Sequence, residues 1–154
     1  MYLQIKNIQI RISINKVTKV KGFNNNLPLG MCFPVWDFDD VNLVKVVENL
    51  REIQRLFALP DIKVVESSPD HYHAICFKTM EWKTYQTILL NTPDVDSMFV
   101  SLAFMRGYAT LRMSQRTTSS YLPHVIMTIP SPVHNEETEI RPLIKGVEYD
   151  TRTN

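Results

Sequence analysis

Two aspartates at the end of an apolar segment are the residues of this sequence best suited to chemistry. Residues 35–40 read Val-Trp-Asp-Phe-Asp-Asp. Alternate side chains of a β-strand point to the same face, so we expect Asp37 and Asp39 to lie side by side. Such carboxylates repel each other, and a divalent cation offsets that repulsion in phosphoryl-transfer sites. The alternative is a strand that runs into a helix, with Asp39 or Asp40 as its N-terminal cap.

A second group of polar residues lies in a predicted hairpin. Residues 67–77 read Ser-Ser-Pro-Asp-His-Tyr-His-Ala-Ile-Cys-Phe. Here His71 and His73 share one strand face, behind a turn rich in hydroxyl groups. Imidazole, hydroxyl and turn amide groups together can bind phosphate oxygens. A single histidine more often has only a structural role.

A single carboxylate and a basic segment follow. Asp96 precedes residues 101–125, which contain Arg106, Arg112 and Arg116, several aromatic residues and no acidic residue. This composition suits a phosphate-bearing partner, or equally a solvated pair of strands.

Hydrophobic periodicity predicts the elements that position these residues. Alternation favours a strand over residues 2–14, and further strands at 31–38, 63–67, 72–78, 99–104, 108–114 and 122–129. A spacing of three to four residues predicts one helix over 40–58 and another from 79 to about 91, capped by Thr79. We therefore expect an α+β fold, a mixed sheet with two main helices packed on one face. Residues 1–130 form the single domain of this prediction, and residues 131–154 a C-terminal arm on the surface.

Composition narrows the class of protein. The chain has 154 residues, of which 44% are hydrophobic and 21% charged, with a formal net charge of +1. These values fit one globular domain and give no global electrostatic argument for nucleic acid. The apolar runs are shorter than a membrane span requires, and Cys32 and Cys76 have neither metal-ligand nor disulfide spacing. We expect an intracellular, cytoplasmic protein without a membrane partner.

The order of the polar segments resembles the archaeo-eukaryotic primase superfamily, the primase-polymerases. Their first motif, hydrophobic-Asp-hydrophobic-Asp, is similar to residues 35–39. Their second, Ser-Gly-Arg-Gly-Tyr-His, matches residues 68–73 in its Ser, Tyr and His, with Pro69, Asp70 and His71 in place of both glycines and the basic residue. Their third, an Asp after an apolar residue, matches Val95-Asp96, and the basic strand that follows is similar to residues 108–116.

The resemblance implies a sheet like that of RNA-recognition domains and the primase palm, and a nucleotidyltransferase active in DNA replication. It implies that Asp37, Asp39 and Asp96 hold two Mg²⁺ or Mn²⁺ ions and transfer a nucleotide to a 3′-hydroxyl. The implied nucleotide-binding residues are Ser68, His73, Arg112 and Arg116. Implied partners are nucleoside triphosphates, a single-stranded DNA template and a separate accessory subunit or helicase.

Two other functions are compatible with the sequence. The segment His71-Tyr72-His73 also resembles the histidine–hydrophobic–histidine motif of rolling-circle nucleases, in which two histidines bind a metal and a tyrosine attacks DNA. Tyr85, Tyr108 and Tyr121 are the candidate nucleophiles, although none has a lysine three residues later. The third possibility is a non-catalytic sheet that binds single strands through exposed aromatic residues.

Overall fold

The chain folds into antiparallel sheets and three α-helices. The computed structural model describes residues 2–5, 8–11, 17–115, 121–132 and 146–152, with side chains described within 21–115 and 121–132. The strands are β1 Tyr2–Ile5, β2 Ile8–Arg11, β3 Val17–Asn24, β4 Met31–Cys32, β5 Val35–Asp39, β6 Ile62–Ser68, β7 His71–Cys76, β8 Met80–Glu81, β9 Thr110–Arg112, β10 His124–Ile129 and β11 Gly146–Arg152. The helices are α1 Leu43–Leu56, α2 Trp82–Asn91 and α3 Ser97–Arg106. The predicted α+β class is confirmed.

The principal sheet has four strands in the order β10-β6-β7-β5. Strands β6 and β7 form the predicted hairpin, and β5 pairs with the outer side of β7. A second sheet has the order β11-β3-β9, and two smaller sheets pair β1 with β2 and β4 with β8. Each pairing between described strands is antiparallel, where the sequence predicted a mixed sheet.

Helices α1 and α2 share one hydrophobic core with the principal sheet. Trp36 and Phe38 of β5 are fully buried in the same core as the apolar faces of both helices. The indole Nε1 of Trp36 donates to Thr92 Oγ1 at 3.0 Å, directly after α2. The hydroxyl of Tyr85, within α2, donates to the carbonyl of Val35 at 2.6 Å. These contacts fix β5 and leave its other face for the polar residues.

The beginning of α1 tests the helix-cap explanation of the aspartate pair. The N-cap of α1 is Asn42, whose side chain accepts a hydrogen bond from the backbone N–H of Lys45 at 2.9 Å. The alternative prediction required Asp39 or Asp40 to cap this helix, and neither residue does so.

Helix α3 corrects a prediction from the sequence. Residues 99–104 were predicted as a strand, because their aromatic and β-branched side chains favour one. Asp96 instead caps a helix, and Gly107, with φ of +77°, ends it in the left-handed conformation that glycine adopts readily. The two terminal signals outweigh the strand propensity of the residues between them.

Other boundaries also differ from those predicted. Within the predicted strand over 2–14, β1 and β2 pair with each other antiparallel, and residues 6–7 and 12–14 lie outside the described residues. Helix α2 begins after Glu81 rather than at Thr79. Within the predicted C-terminal arm, β11 pairs with β3 along its whole length.

In the part of the chain that the structure describes, no helix is long and apolar enough to cross a membrane.

Candidate functional site

Strand pairing brings two carboxylates and two imidazoles to one face of the principal sheet. In the register of β5 and β7, Asp37 lies opposite His73 and Asp39 opposite His71. Directly opposed residues of an antiparallel pair project to the same face. The fully buried side chains of Trp36 and Phe38 project to the opposite face. The predicted arrangement of Asp37 and Asp39 on one face is therefore accompanied by a matching pair of histidines.

The two carboxylate–imidazole pairs differ in geometry. His71 Nδ1 and Asp39 Oδ1 are 2.6 Å apart in a hydrogen bond, and both side chains are partly exposed. His73 Nε2 and Asp37 Oδ1 are 3.3 Å apart, and the side chains are 4% and 25% exposed. This second contact lacks hydrogen-bond geometry, because Asp37 Oδ1 has no hydrogen-bond partner among the described residues.

Three buried polar atoms at this place have no hydrogen-bond partner within the described part of the chain. They are Asp37 Oδ1, Ser68 Oγ and His73 Nδ1. A buried polar atom left unpaired costs about 1–3 kcal/mol, so native proteins pair nearly all of them. The three atoms lie on the neighbouring strands β5, β6 and β7. Such a cluster is expected at a site that binds a polar ligand.

The turn of the β6–β7 hairpin borders the site. Ser67 Oγ donates to the carbonyl of His71 at 3.3 Å, and the strand pairing has a bulge between Glu66 and Ser68. Asp70 follows Pro69 at the tip of the turn with φ of +60°. This backbone conformation is one that glycine would adopt without strain.

Arg112 connects β9 with the same hairpin. Its Nη2 donates to the carbonyl of Ser67 at 3.5 Å, and its Nη1 donates to the carbonyl of Ser114. The guanidinium group thus places a permanent positive charge beside the bulge that carries Ser68.

Asp96 lies beside the site but has a structural contact of its own. Its backbone N–H donates to the carbonyl of Asp37 at 2.9 Å, so the loop before α3 runs along the free edge of β5. Its carboxylate Oδ1 accepts from the backbone N–H of Phe99 at 2.6 Å and caps α3. A role of Asp96 as a metal ligand stays a prediction.

The site contains two types of ligand for a divalent cation. Asp37 offers an unpartnered carboxylate oxygen next to an imidazole nitrogen, which are both divalent-metal ligands. Among the described residues, no group of three or more histidine, cysteine, aspartate or glutamate side chains is arranged to hold a metal. The two-ion arrangement that the resemblance implies therefore stays a prediction.

Most of the predicted site residues come together at one end of the principal sheet. These are Asp37, Asp39, Ser68, His73 and Arg112. Arg106, at the end of α3, is exposed, and Arg116 lies outside the described residues. The sequence did not reveal that His71 pairs with Asp39. Strand alternation put His71 on the face of His73, but the pairing partner of β7 depends on long-range register.

Both alternative functions meet constraints in the structure. Tyr85 is fully buried with its hydroxyl bound to Val35, so it is not accessible as a nucleophile. The hydroxyl of Tyr121 donates to Glu66 Oε2, and this contact raises the pKa of Tyr121 to about 12. The aromatic residues of the principal sheet, Trp36, Phe38 and Tyr72, are all buried and offer no stacking surface for bases.

Comparison with known proteins gives no match: no protein-family model, no curated protein and no solved structure was found to be similar to this chain.

Proposed function

We propose that this protein is a nucleotidyltransferase core that binds a nucleoside triphosphate at the β5–β7 site, as primase-polymerases do. The observation that carries the proposal is the convergence of Asp37, His73, Ser68 and Arg112, with three buried polar atoms that lack hydrogen-bond partners among the described residues. These groups are of the types that bind phosphate and the cation that accompanies it.

The proposed roles of the side chains follow from their charges. The guanidinium of Arg112 attracts phosphate oxygens and, being planar, can donate two hydrogen bonds to them. Ser68 supplies a hydroxyl donor from the hairpin bulge. Asp37 would hold a divalent cation with Asp39 beside it on the same face, and that cation when bound neutralises the triphosphate and favours attack by a 3′-hydroxyl.

Pairing between β5 and β7 makes the site rigid before ligand arrives. Asp37 and His73 sit on paired strands whose opposite face is locked by Trp36 and Phe38 in the core. A phosphate-binding site on such paired strands loses little conformational entropy when the ligand binds. Preorganisation of this kind is what positional catalysis of phosphoryl transfer requires.

The test is extension of a labelled primer on a single-stranded DNA template with deoxynucleotides or ribonucleotides and Mg²⁺ or Mn²⁺. We expect Asp37→Asn and Asp39→Asn to reduce incorporation by at least about 100-fold, since each removes a carboxylate that would hold or flank the cation that neutralises the triphosphate. Asp40→Asn is the matched control, because Asp40 is exposed at the end of the same strand and asparagine tolerates its φ of +59°. The proposal fails if the purified, folded chain neither incorporates nucleotides nor binds a triphosphate in the presence of metal.

A second candidate is a nuclease that uses a histidine pair, because His71 and His73 share one face with Asp37. Two histidines are the metal ligands that such nucleases need. This candidate predicts a covalent tyrosyl–DNA adduct on denaturing gels, lost in His73→Ala and in Tyr121→Phe or Tyr108→Phe. Absence of an adduct with every single-stranded substrate, under conditions where nucleotides are incorporated, would eliminate it.

A further inference from the structure

The contact between Asp37 and His73 has the spacing of two ligands on one metal ion. His73 Nε2 and Asp37 Oδ1 are 3.3 Å apart, and Asp37 Oδ1 accepts no hydrogen bond from the described residues. Ligand atoms about 2.1 Å from a cation and about 90–109° apart are separated by roughly 3.0–3.4 Å. By contrast, Asp39 and His71 are 2.6 Å apart and form an ordinary charge-assisted hydrogen bond.

Both ligand atoms are held in place from outside the site. Asp37 and His73 are directly opposed in the strand register, so their backbones cannot shift without breaking β-sheet pairing. His73 is almost completely buried, and its Nδ1 has no hydrogen-bond partner in the described structure. The adjacent pair of Asp39 and His71 already satisfies itself, which leaves Asp37 and His73 as the incomplete pair.

The chemistry of the pair selects among cations. Mg²⁺ prefers an all-oxygen shell, whereas imidazole nitrogen suits the first-row transition metals and zinc. A pair with one carboxylate oxygen and one imidazole nitrogen is thus poorly matched to Mg²⁺. Two side chains leave the remaining coordination positions for water or phosphate oxygens.

We propose that Asp37 and His73 together bind a single transition-metal dication, of the Mn²⁺ or Zn²⁺ class, in preference to Mg²⁺. The inference rests on the proposed function only in placing the ion next to the triphosphate. It assigns His73 to the metal, whereas the resemblance to primase-polymerases implies a nucleotide contact. A single ion bound by one carboxylate and one imidazole also differs from the two ions bound by three carboxylates that the resemblance implies.

The test measures metal binding by the full-length chain without nucleotide or DNA. Mn²⁺ is titrated in and its free concentration followed by electron paramagnetic resonance, and Zn²⁺ and Mg²⁺ are then added as competitors. We expect one Mn²⁺ per chain, displaced by Zn²⁺ at lower concentration than by Mg²⁺, as the Irving–Williams order and the nitrogen ligand require.

Two variants separate a metal ligand from a structural residue. His73→Gln replaces the nitrogen with an amide oxygen at similar reach, so we expect Mn²⁺ affinity to fall at least about tenfold and the preference over Mg²⁺ to shrink. Asp37→Asn changes a partly exposed side chain, and it supplies the test if His73→Gln does not fold. His124→Gln is the matched control, since His124 is exposed on β10.

Each outcome has a clear consequence. Failure of the folded wild-type chain to bind Mn²⁺, equal affinity for Mg²⁺, or an unchanged metal preference in His73→Gln would overturn the inference. Mn²⁺ binding that depends on Asp37 and His73 supports it, even where no nucleotide is incorporated and the proposed function alone has failed. Nucleotide incorporation that Mg²⁺ supports as well as Mn²⁺, in a chain that binds both ions equally, would overturn the inference and leave the function standing.

Discussion

Asp70 holds a left-handed backbone at the tip of the β6–β7 hairpin, with φ of +60°. Aspartate tolerates this region better than most residues, but glycine enters it without a Cβ penalty. We expect Asp70→Gly to raise the free energy of unfolding by up to about 1 kcal/mol, as measured by urea denaturation.

Asp70 also carries a negative charge two residues after Ser68. Asp70→Asn removes that charge while keeping the backbone preference, so it separates charge from conformation. We expect both variants to bind a triphosphate more tightly than the wild type in an equilibrium titration, and only the glycine variant to gain stability. A weaker triphosphate affinity in both would show that Asp70 itself helps to form the site.

Tyr121 makes the stability of the protein depend on pH at the alkaline end. Its hydrogen bond to Glu66 raises the pKa of Tyr121 to about 12, above the value near 10 of an unfolded tyrosine. A raised folded-state pKa contributes stability that is complete below about pH 10 and is lost as the pH rises towards 12. We therefore expect the urea midpoint of the wild type to fall more steeply between pH 9.5 and about 11.5 than that of Tyr121→Phe. Parallel pH dependences of the two proteins would show that the contact with Glu66 does not form in solution.

Residue types and spacing were enough to select Asp37, Asp39, Ser68 and His73 from the sequence. Strand alternation is a local property, so it predicts which side chains share a face. The partners of these residues depend on which strands pair and in what register. For that reason the contacts of Asp39 with His71 and of Asp37 with His73 could not be predicted.

At the scale of the elements, the stability of α3 depends on Asp96, its N-terminal cap. The carboxylate of Asp96 caps this helix, and loss of such a cap costs about 0.5–2 kcal/mol. We expect Asp96→Ala to lower the free energy of unfolding by about 1 kcal/mol and Asp96→Asn to change it by only a few tenths, because asparagine caps equally well. Thermal or urea denaturation of the three proteins gives the comparison.

Nucleotide incorporation by the same variants distinguishes a cap from a metal ligand. With the single ion on Asp37 and His73, Asp96→Asn should retain incorporation within a few-fold of the wild type. A folded, stable Asp96→Asn protein without incorporation would give Asp96 a direct place in metal binding. In either case Asp96 lies beside Asp37, because its backbone N–H donates to the carbonyl of Asp37.

Elements with strong periodicity were predicted well, and those set by their ends were not. Helix α1 has apolar residues at helical spacing and β6 and β7 alternate around a turn, so local sequence is sufficient for both. Helix α3 carries Phe99 and Val100 within an apolar run that favours a strand. Its helical state depends on Asp96 at one end and Gly107 at the other, signals of single residues that are easily outweighed in a sequence pattern.

At the scale of the whole molecule, Asn25 holds the second sheet in position relative to the site. It is fully buried, and its side-chain amide donates to the carbonyl of Phe33 at 2.9 Å while its oxygen accepts from the N–H of Ala109 at 2.8 Å. Phe33 leads into β5, which carries Asp37, and Ala109 leads into β9, which carries Arg112. Together with the backbone hydrogen bonds of Asn25 to Ala109 and Phe33, this side chain joins the segments that carry the carboxylate and the guanidinium.

We expect Asn25→Ala to lower the free energy of unfolding by about 2–4 kcal/mol, because it leaves a buried carbonyl and a buried N–H unpaired. Triphosphate affinity should fall in the fraction that remains folded, since the strand of Arg112 loses one of the contacts that hold it in place. Urea denaturation and an equilibrium nucleotide titration measure the two effects. Asn26→Ala is the matched control, with an exposed side chain one residue later, and equal losses in both variants would contradict the role given to Asn25.

The fluorescence of the buried Trp36 indole can report on binding at the site. This ring is sealed from solvent, bonded to Thr92, and belongs to the residue immediately before Asp37. A change in charge at Asp37 alters the electric field at the indole and hence the colour and intensity of its emission. Trp82 is half-buried on α2, and Trp82→Phe would leave Trp36 as the single tryptophan of the sequence, whose selectively excited emission follows cation and nucleotide binding without a label.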